Sequence, residues 1–263
     1  MVAQEIILNM AQKKKTLTKS RFPKLLVKVD RKFEKEKAGA FFIEKAFRTN
    51  DFWFFEKFVK DYPELVKIKN MDIESAKKFF NSEVDKYYFK KERKLKNLIK
   101  DIERKWDKIK NEFFIEAEKI FDGHKWPKGK YAASISLFGM YRFVPETKTF
   151  SIPSNDYGGN PPAHGQINAA IVHEMMHILF EDFYKKNFKK NSLPLQKYYD
   201  LLEITNYIVL NLPQINKLTG WVFYPYPNHK ERAEYLKKVY FECKNMKEFI
   251  GKAIPYLNET KDL

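Results

Sequence analysis

The sequence predicts an α+β fold, in which a helical N-terminal region precedes a domain that combines a small sheet with helices. Two observations predict it. Apolar residues recur at three- and four-residue spacing through much of the first half, as in amphipathic helices. At about residue 130 a segment rich in β-forming residues begins, and helical spacing then returns. We therefore expect a basic, mostly helical region over 1–125 and a second domain over 126–263.

Composition indicates a soluble globular protein. The chain has 263 residues, 44% of them hydrophobic and 32% charged. No apolar run approaches the ~20 residues of a membrane span, so we expect no membrane association. A single cysteine, Cys243, excludes an internal disulfide framework. The N-terminus places its apolar patch before its lysines, the reverse of a secretory signal, so a cytoplasmic location is expected.

Positive charge is concentrated in the first half of the chain. The net charge is +16, of which +13 falls in residues 1–130 and +3 in residues 131–263. A basic half can attract nucleic acid, but no recognised nucleic-acid-binding motif accompanies it. General lysine richness explains the charge equally simply. We expect at most weak, non-specific nucleic-acid binding, and the sequence does not define an oligomeric state.

The first half contains one clear helix and several shorter candidates. Residues 1–20 are polar and basic and are expected to be loosely held. KLLVKVDRKF (24–33) fits a short strand or a helix start. The aromatic segment 41–66 and MDIESAKKFF (71–80) are each expected to be helical. A long helix is predicted from a capping box at Ser82 and Asp85 to Asp122-Gly123.

The second half alternates extended and helical segments. YAASISLFGMYRFV, PETK and TFSIPS together predict a hairpin or two neighbouring strands. A loop rich in glycine and proline, NDYGGNPPAHG, leads into a helix that contains IVHEMMHILF (171–180). Another helix follows in LQKYYDLLEITNYIVLNL, and an aromatic loop then precedes the last helices.

The HEMMH motif carries the chemistry. On a helix, His173 and His177 lie on one face and can bind one metal ion. Glu174 is rotated by about 100° and can contact water beside the ion without binding the ion itself. This spacing is the zinc-peptidase pattern, in which zinc activates water and the glutamate is the general base. The simpler alternative is two ordinary histidines beside an ordinary helix glutamate.

Two histidines need a third ligand from a separate element, because tetrahedral directions diverge from one helix face. Glu181 and Asp182 continue the same helix and point along it or away from it. Asp200 and Glu203 lie three residues apart on the next helix. Glu203 has the longer reach and aliphatic neighbours, and Asp200 remains the alternative. Asn206, one turn further on, could orient a ligand histidine.

A strand pair, the HEMMH helix and a downstream glutamate helix resemble the gluzincin branch of the zincin metallopeptidases. The resemblance covers about residues 100–250, and HEMMH is the one specific motif in it. It implies a zincin-like catalytic domain, Zn²⁺ held by His173, His177 and Glu203, and Glu174 as general base. It also implies that TFSIPS presents a sheet edge to a peptide, and that the loop containing Tyr224, Tyr226 and His229 can supply an oxyanion donor. The simpler interpretation of His229 is a solvent-exposed histidine at the start of a helix. Residue 207 is Tyr where those relatives often have Asp.

These features favour a cytoplasmic zinc metallopeptidase that hydrolyses a peptide or protein substrate. The alternative is a non-catalytic binding or regulatory protein, in which a basic helical module is attached to a zincin-like scaffold. A third possibility is a latent protease whose N-terminal helices cover the cleft. The sequence does not identify the substrate, the cleavage preference or the role of the basic half.

Overall fold

A computed structural model describes residues 21–43, 60–139, 142–154, 164–189 and 192–260. Helices dominate this part of the chain and surround one four-stranded sheet, which is consistent with the predicted α+β class. Residues 1–20, most of the aromatic segment 41–66 and most of the loop 155–165 lie outside the described residues. No helix in the described part combines the length and apolar character that a membrane span requires.

The elements follow each other as strand, helices, strands and helices. The strands are β1 (Leu25–Lys28), β2 (Tyr131–Ser136), β3 (Phe143–Val144) and β4 (Thr149–Pro153). The helices are α1 (Arg31–Phe41), α2 (Ile73–Ile120), α3 (His164–Asn187), α4 (Leu195–Leu210), α5 (Pro213–Thr219), α6 (Lys230–Glu242) and α7 (Met246–Glu259). Short 3-10 turns lie at Pro63–Asn70, Pro145–Thr147 and Pro227–His229.

The sheet joins the two halves of the chain. Its strand order is β1-β2-β4-β3, with β1, β2 and β4 parallel and β3 antiparallel to β4. Segment 24–33 therefore contains both expected structures, since strand β1 is followed by helix α1. Asp30 caps α1 by accepting a hydrogen bond from the Phe33 backbone N–H. Strand β1 from the first half pairs directly with β2 from the second, and the boundary at residue 125 stays a prediction.

The expected hairpin forms between β3 and β4, and the turn residues PETK connect them. Lys148 adopts a left-handed conformation with φ 50° at the end of this turn. The first part of strand β4, as far as Ser151, is not the free edge that the resemblance implied. Its Thr149 and Phe150 pair with β3 on one side and with β2 on the other. The Ser151 backbone N–H then donates to the carbonyl of Arg142, so β3 covers this side of β4.

Helix α2 is one continuous helix of 48 residues, about 70 Å long at ~1.5 Å per residue. The predicted start at Ser82 is wrong, and so is the separate short helix before it. The helix begins after Asp72, whose carboxylate accepts from the Ser75 N–H at 3.0 Å. Buried Phe80 and Val84 continue one apolar stripe through the supposed break. The predicted end is correct, since Asp122 and Gly123 both adopt positive φ.

Helix α3 lies at the centre of the fold and contacts α2, α4, α5 and the sheet. Its apolar residues are buried around nearly the whole helix, including Met175, Met176, Leu179 and Phe180. A helix that is apolar on all sides has to be enclosed by other elements. This enclosure removes most of α3 from water and leaves its polar residues 173, 174 and 177 at one cleft.

Candidate metal centre

The two histidines of α3 point toward a common position, as their helical spacing predicts. The rings of His173 and His177 are perpendicular, with centroids 4.6 Å apart. Their Nε2 atoms are separated by 2.9 Å. Phe143 of β3 packs against the ring of His177, and Phe223 stacks on the ring of His173. Apolar contacts from two separate segments therefore fix both rings.

Helix α4 brings Glu203 to the same position. One of its carboxylate oxygens lies 3.5 Å from Nε2 of His173, and the other lies 3.5 Å from Nε2 of His177. With one donor atom from each residue, all three atoms fall within 4.8 Å of one another. Within the described ranges this is the one group of three His, Cys, Asp or Glu side chains placed closely enough to share an ion.

This donor set fits zinc. Two imidazole nitrogens and one carboxylate are a common ligand set of catalytic zinc sites, which keep a fourth position open. Tetrahedral bonds of ~2.0–2.1 Å place donor atoms ~3.3–3.4 Å apart, close to the 2.9 and 3.5 Å separations seen here. The side chains of His173 and Glu203 remain 23% and 24% exposed, so the cluster is accessible from the cleft.

Burial keeps the ring nitrogens in the form that binds a metal. It lowers the pKa of His173 to about 4 and lowers the pKa of His177 well below its usual value, with a further contribution from His173. Both imidazoles are therefore neutral at neutral pH. Desolvation raises the pKa of Glu203 to about 7, and no cation among the described residues compensates its charge. A divalent ion would supply that compensation.

Glu174 lies beside this cluster but is not part of it. Its side chain is buried, lines the cleft, and is absent from the three-donor group. Desolvation, followed by repulsion from Glu203, raises the pKa of Glu174 well above its usual value. The helix geometry that puts the two histidines on one face thus leaves Glu174 next to them with a high proton affinity.

Asn206 connects the two helices behind the histidines. It is fully buried, and its Nδ2 donates to the backbone carbonyl of His173 at 3.0 Å. The same nitrogen lies 3.2 Å from Nδ1 and 3.3 Å from Nε2 of His177. The predicted orienting residue therefore contacts one of the two histidines of the candidate metal centre. Tyr207, at the position where gluzincins often have an aspartate, instead donates to Glu234 at 2.8 Å.

Asp200, the alternative third ligand, binds residues outside the candidate metal centre. Its two carboxylate oxygens bind Nη1 of Arg232 at 2.5 Å and Nε2 of His229 at 3.1 Å. Asp200, Arg232 and His229 are all buried. The other two acids considered from the sequence also have partners, since Glu181 pairs with Lys185 and Asp182 with Lys186.

The cluster opens on a cleft with a volume of about 780 Å³. His229 lies in its wall, and its Nδ1 is buried without a hydrogen-bond partner among the described residues. An aromatic loop (residues 221–226) forms another part of the wall, and Tyr224 in it is 83% exposed. Asn211 holds this loop through two hydrogen bonds of 3.0 Å with the Phe223 backbone.

Several residues near the site escaped the sequence interpretation. Arg142 and Phe143 line the cleft because the β3–β4 register brings them there. The sequence signal for Arg142 was that it is a single arginine in a segment rich in β-forming residues. Nε2 of His124 lies 2.7 Å from Asp182, and this contact connects the loop after α2 to α3. His164 begins α3, and its side chain lies outside the described set.

Comparisons with known proteins add no relative. No protein-family model matches the chain, no curated protein matches it, and no solved structure matches it.

Proposed function

We propose that this chain is a zinc-dependent metallopeptidase of the gluzincin type, built on a zincin-like arrangement of α3, α4 and the sheet. One observation carries the proposal. The donor atoms of His173, His177 and Glu203 converge at one wall of a cleft, and Glu174 reaches the same wall without joining them. The HExxH spacing on α3 puts both histidines on one face with the glutamate beside them, as zinc peptidases require.

The protein groups have distinct roles in this proposal. His173, His177 and Glu203 would hold the ion, which supplies Lewis acidity that activates water and polarises a carbonyl. Glu174 is the group placed to take a proton from the attacking water and pass it to the leaving nitrogen. Its position favours this role, because it lines the same cleft wall as the donor atoms without being one of them.

His229 is proposed as the group that stabilises the developing oxyanion. Asp200 holds its Nε2, and Arg232 balances the charge of Asp200. Because Nε2 donates to the Asp200 carboxylate, Nδ1 is the ring atom left for substrate, and it would donate to an oxyanion in the doubly protonated form of the ring. A donor fixed in this way before the reaction stabilises negative charge without first reorganising.

The test is hydrolysis of a mixed peptide library by zinc-loaded protein, with Glu174→Gln beside the wild type. We expect the wild type to cleave peptides and to lose activity with a chelator, because water activation needs the ion. Glu174→Gln should retain zinc and lose cleavage by ~10²-fold or more. An uncleaved library with stoichiometric zinc would overturn the peptidase proposal, and undiminished cleavage by the variant would overturn the role of Glu174.

A second candidate is a non-catalytic binding protein that uses the basic face of α2. Lys90, Arg93 and Lys94 are exposed on this helix, which favours contact with an anionic polymer. Many other α2 lysines pair with acids one turn away, among them Lys86 with Glu83. These ion pairs lower the net positive charge on the basic face of α2, so we propose weak and non-specific nucleic-acid binding. A cytoplasmic location likewise stays a proposal.

A further inference from the structure

Asn211 ends α4 and bonds to the backbone with both polar atoms of its side-chain amide. Its Nδ2 donates to the carbonyl of Tyr207, one turn earlier, at 2.8 Å and to the carbonyl of Phe223 at 3.0 Å. Its Oδ1 accepts from the Phe223 N–H at 3.0 Å. Both N–H donors and the oxygen of this amide are therefore in use, and two of the three bonds reach Phe223 in the aromatic loop.

Phe223 needs these bonds because it belongs to no regular element. Residues 221–226 form neither helix nor strand. Backbone N–H and C=O groups outside regular elements have to bond to side chains or to water. Both groups of Phe223 bond to the one amide of Asn211, much as they would bond to a neighbouring strand. Asn211 therefore fixes the position of the Phe223 backbone in the cleft wall.

The ring that Asn211 places in this way contacts the candidate metal centre. Phe223 stacks on His173, with ring centroids 6.3 Å apart and an angle of 22° between the ring planes. The side chain of His173 is 23% exposed and that of His177 only 4%. His177 is also supported by Phe143 and Asn206. In the described part of the chain, the aromatic rings that contact His173 are those of His177 and Phe223, so the more exposed histidine relies on a loop residue.

A simpler role for Asn211 would be to cap the end of α4 through the Tyr207 carbonyl. Asn187 has this simpler role at the end of α3, where its Nδ2 donates to the carbonyl of Phe183, one turn earlier, at 2.8 Å. Within the described residues, the Asn187 side chain makes no second hydrogen bond. The two asparagines therefore share the bond within their own helix and differ in the two bonds to Phe223, which makes them a matched pair.

We propose that Asn211 is a positioning residue for the metal centre. By holding the Phe223 backbone, it keeps the Phe223 ring against His173 and so keeps the imidazole in the orientation that binds the ion. Asn211 itself touches neither of these two rings through its side-chain hydrogen bonds. A ligand ring that is already held loses less freedom when the ion binds, so the affinity for the ion is higher. This inference rests on the proposed function, because it assigns a supporting residue to the same site.

The first experiment is a double-mutant cycle on zinc affinity, measured by competition with a chelator. Asn211→Ala and Phe223→Ala should each lower the affinity by about tenfold and leave one ion per chain at saturation. In the Phe223→Ala background, Asn211→Ala should change the affinity by less than about twofold, because the ring that it positions is gone. Asn187→Ala is the matched control and should bind zinc as the wild type does. A full tenfold loss in both backgrounds would show that Asn211 acts by another route and would overturn the inference.

The second experiment uses the zinc-free protein. NMR of the chain labelled at its five histidines, with His173→Gln to assign the signals, detects the ring current of Phe223 on His173. Phe223→Ala should shift the His173 signals, and Asn211→Ala should shift them in the same direction. Asn187→Ala should leave them in place. Unshifted His173 signals in Asn211→Ala would overturn the inference, and these single variants decide it if circular dichroism shows that the double variant is unfolded.

The two experiments separate this inference from the proposed function. If the wild type binds one zinc per chain and Asn211→Ala binds it equally tightly, the positioning role is overturned and the metal centre stands. If the wild type binds no zinc while Asn211→Ala shifts the His173 signals, the metallopeptidase proposal falls and the control of the His173 ring by Asn211 stands.

Discussion

Glu203 and Asp200 lie three residues apart on α4, and yet they serve different partners. The carboxylate of Glu203 is 3.5 Å from the Nε2 atoms of both α3 histidines. That of Asp200 faces α6 and the turn before it, where it binds Arg232 and His229. Spacing alone puts both acids on similar faces, so the difference comes from what packs against each of them.

Because Glu203 and Asp200 have different partners, we expect their substitution to affect zinc binding differently. Glu203→Gln should lower zinc affinity by more than the ~10–100-fold typical of residues that only support a ligand, because it removes a donor. Asp200→Asn is the matched control and should retain about one zinc per chain. Metal analysis of dialysed protein gives the stoichiometry, and competition with a chelator gives the affinity. If Asp200→Asn loses the metal while Glu203→Gln keeps it, the ligand assignment is wrong.

Asn206 should tune the metal site without being a ligand. Its amide contacts the His173 carbonyl and both ring nitrogens of His177, so it fixes the orientation of a ring that would bind zinc. Asn206→Leu should lower zinc affinity by ~10–100-fold and leave one ion per chain at saturation. Asn187→Leu removes an amide that donates to the Phe183 carbonyl at the end of α3, and it serves as the control. Equal affinities in Asn206→Leu and the wild type would contradict the orienting role.

Asp122 should stabilise the C-terminal helix from a distant part of the chain. Its two carboxylate oxygens accept from the N–H groups of Met246 and Lys247, each at 3.0 Å, at the start of α7. Asp122→Gly suits the positive φ at this position but removes both acceptors. We expect the free energy of unfolding to fall by ~1–2 kcal/mol in urea titrations. Asp122→Asn, which keeps one acceptor and tolerates the same φ, should lose less.

Local patterns in the sequence predict local structure well. His173 and His177 could be paired from sequence because four-residue spacing on a helix sets their relationship. The end of α2 was equally predictable, since Asp122 and Gly123 form a stop signal that needs no tertiary contact. The start of α2 was missed because a capping signal at Ser82 is weaker than the buried stripe that runs through it.

Long-range packing explains what the sequence could not show. The parallel pairing of β2 with β4, and not a simple meander, places β3 at the edge and brings Arg142 to the cleft. The choice between Asp200 and Glu203 likewise depends on Arg232, which lies on a later helix. No local spacing rule encodes these contacts, because they form only when separate elements pack together.

The charge on α2 predicts the kind of nucleic-acid binding to expect. Contacts from exposed lysines release counterions, so any affinity should fall steeply between low and physiological salt. Titration of labelled DNA of two unrelated sequences should give similar, weak binding. A triple variant with Gln at Lys90, Arg93 and Lys94 should reduce the salt dependence. Tight binding that distinguishes the sequences at physiological salt would favour the binding-protein alternative over the peptidase.

Glu34 should make the stability of the fold depend on pH. It is buried at 2% exposure in α1 and accepts hydrogen bonds from Oγ of Ser136 at 2.8 Å and from the Phe138 N–H at 3.4 Å. Desolvation exceeds the effect of these bonds and raises its pKa from 4.5 to about 7. The folded state therefore retains this proton at pH values where the unfolded state has already released it.

The sign of the effect follows from this difference. Below pH 4.5 both states are protonated, and the contribution of Glu34 to stability is fully present. As pH rises from about 4.5 through about 7, the unfolded state binds fewer protons than the folded state, so the free energy of unfolding falls. At ~1.4 kcal/mol per pKa unit the loss is at most ~3.5 kcal/mol. Glu34→Gln keeps an acceptor for Ser136 but cannot ionise.

Urea unfolding at several pH values should therefore show the Glu34→Gln variant gaining ~1–3 kcal/mol on the wild type between pH 5 and 7.5. Glu36→Gln, an exposed change on the same helix, should follow the wild type, and a Glu34→Gln profile parallel to the wild type would show that the buried carboxyl does not titrate as proposed.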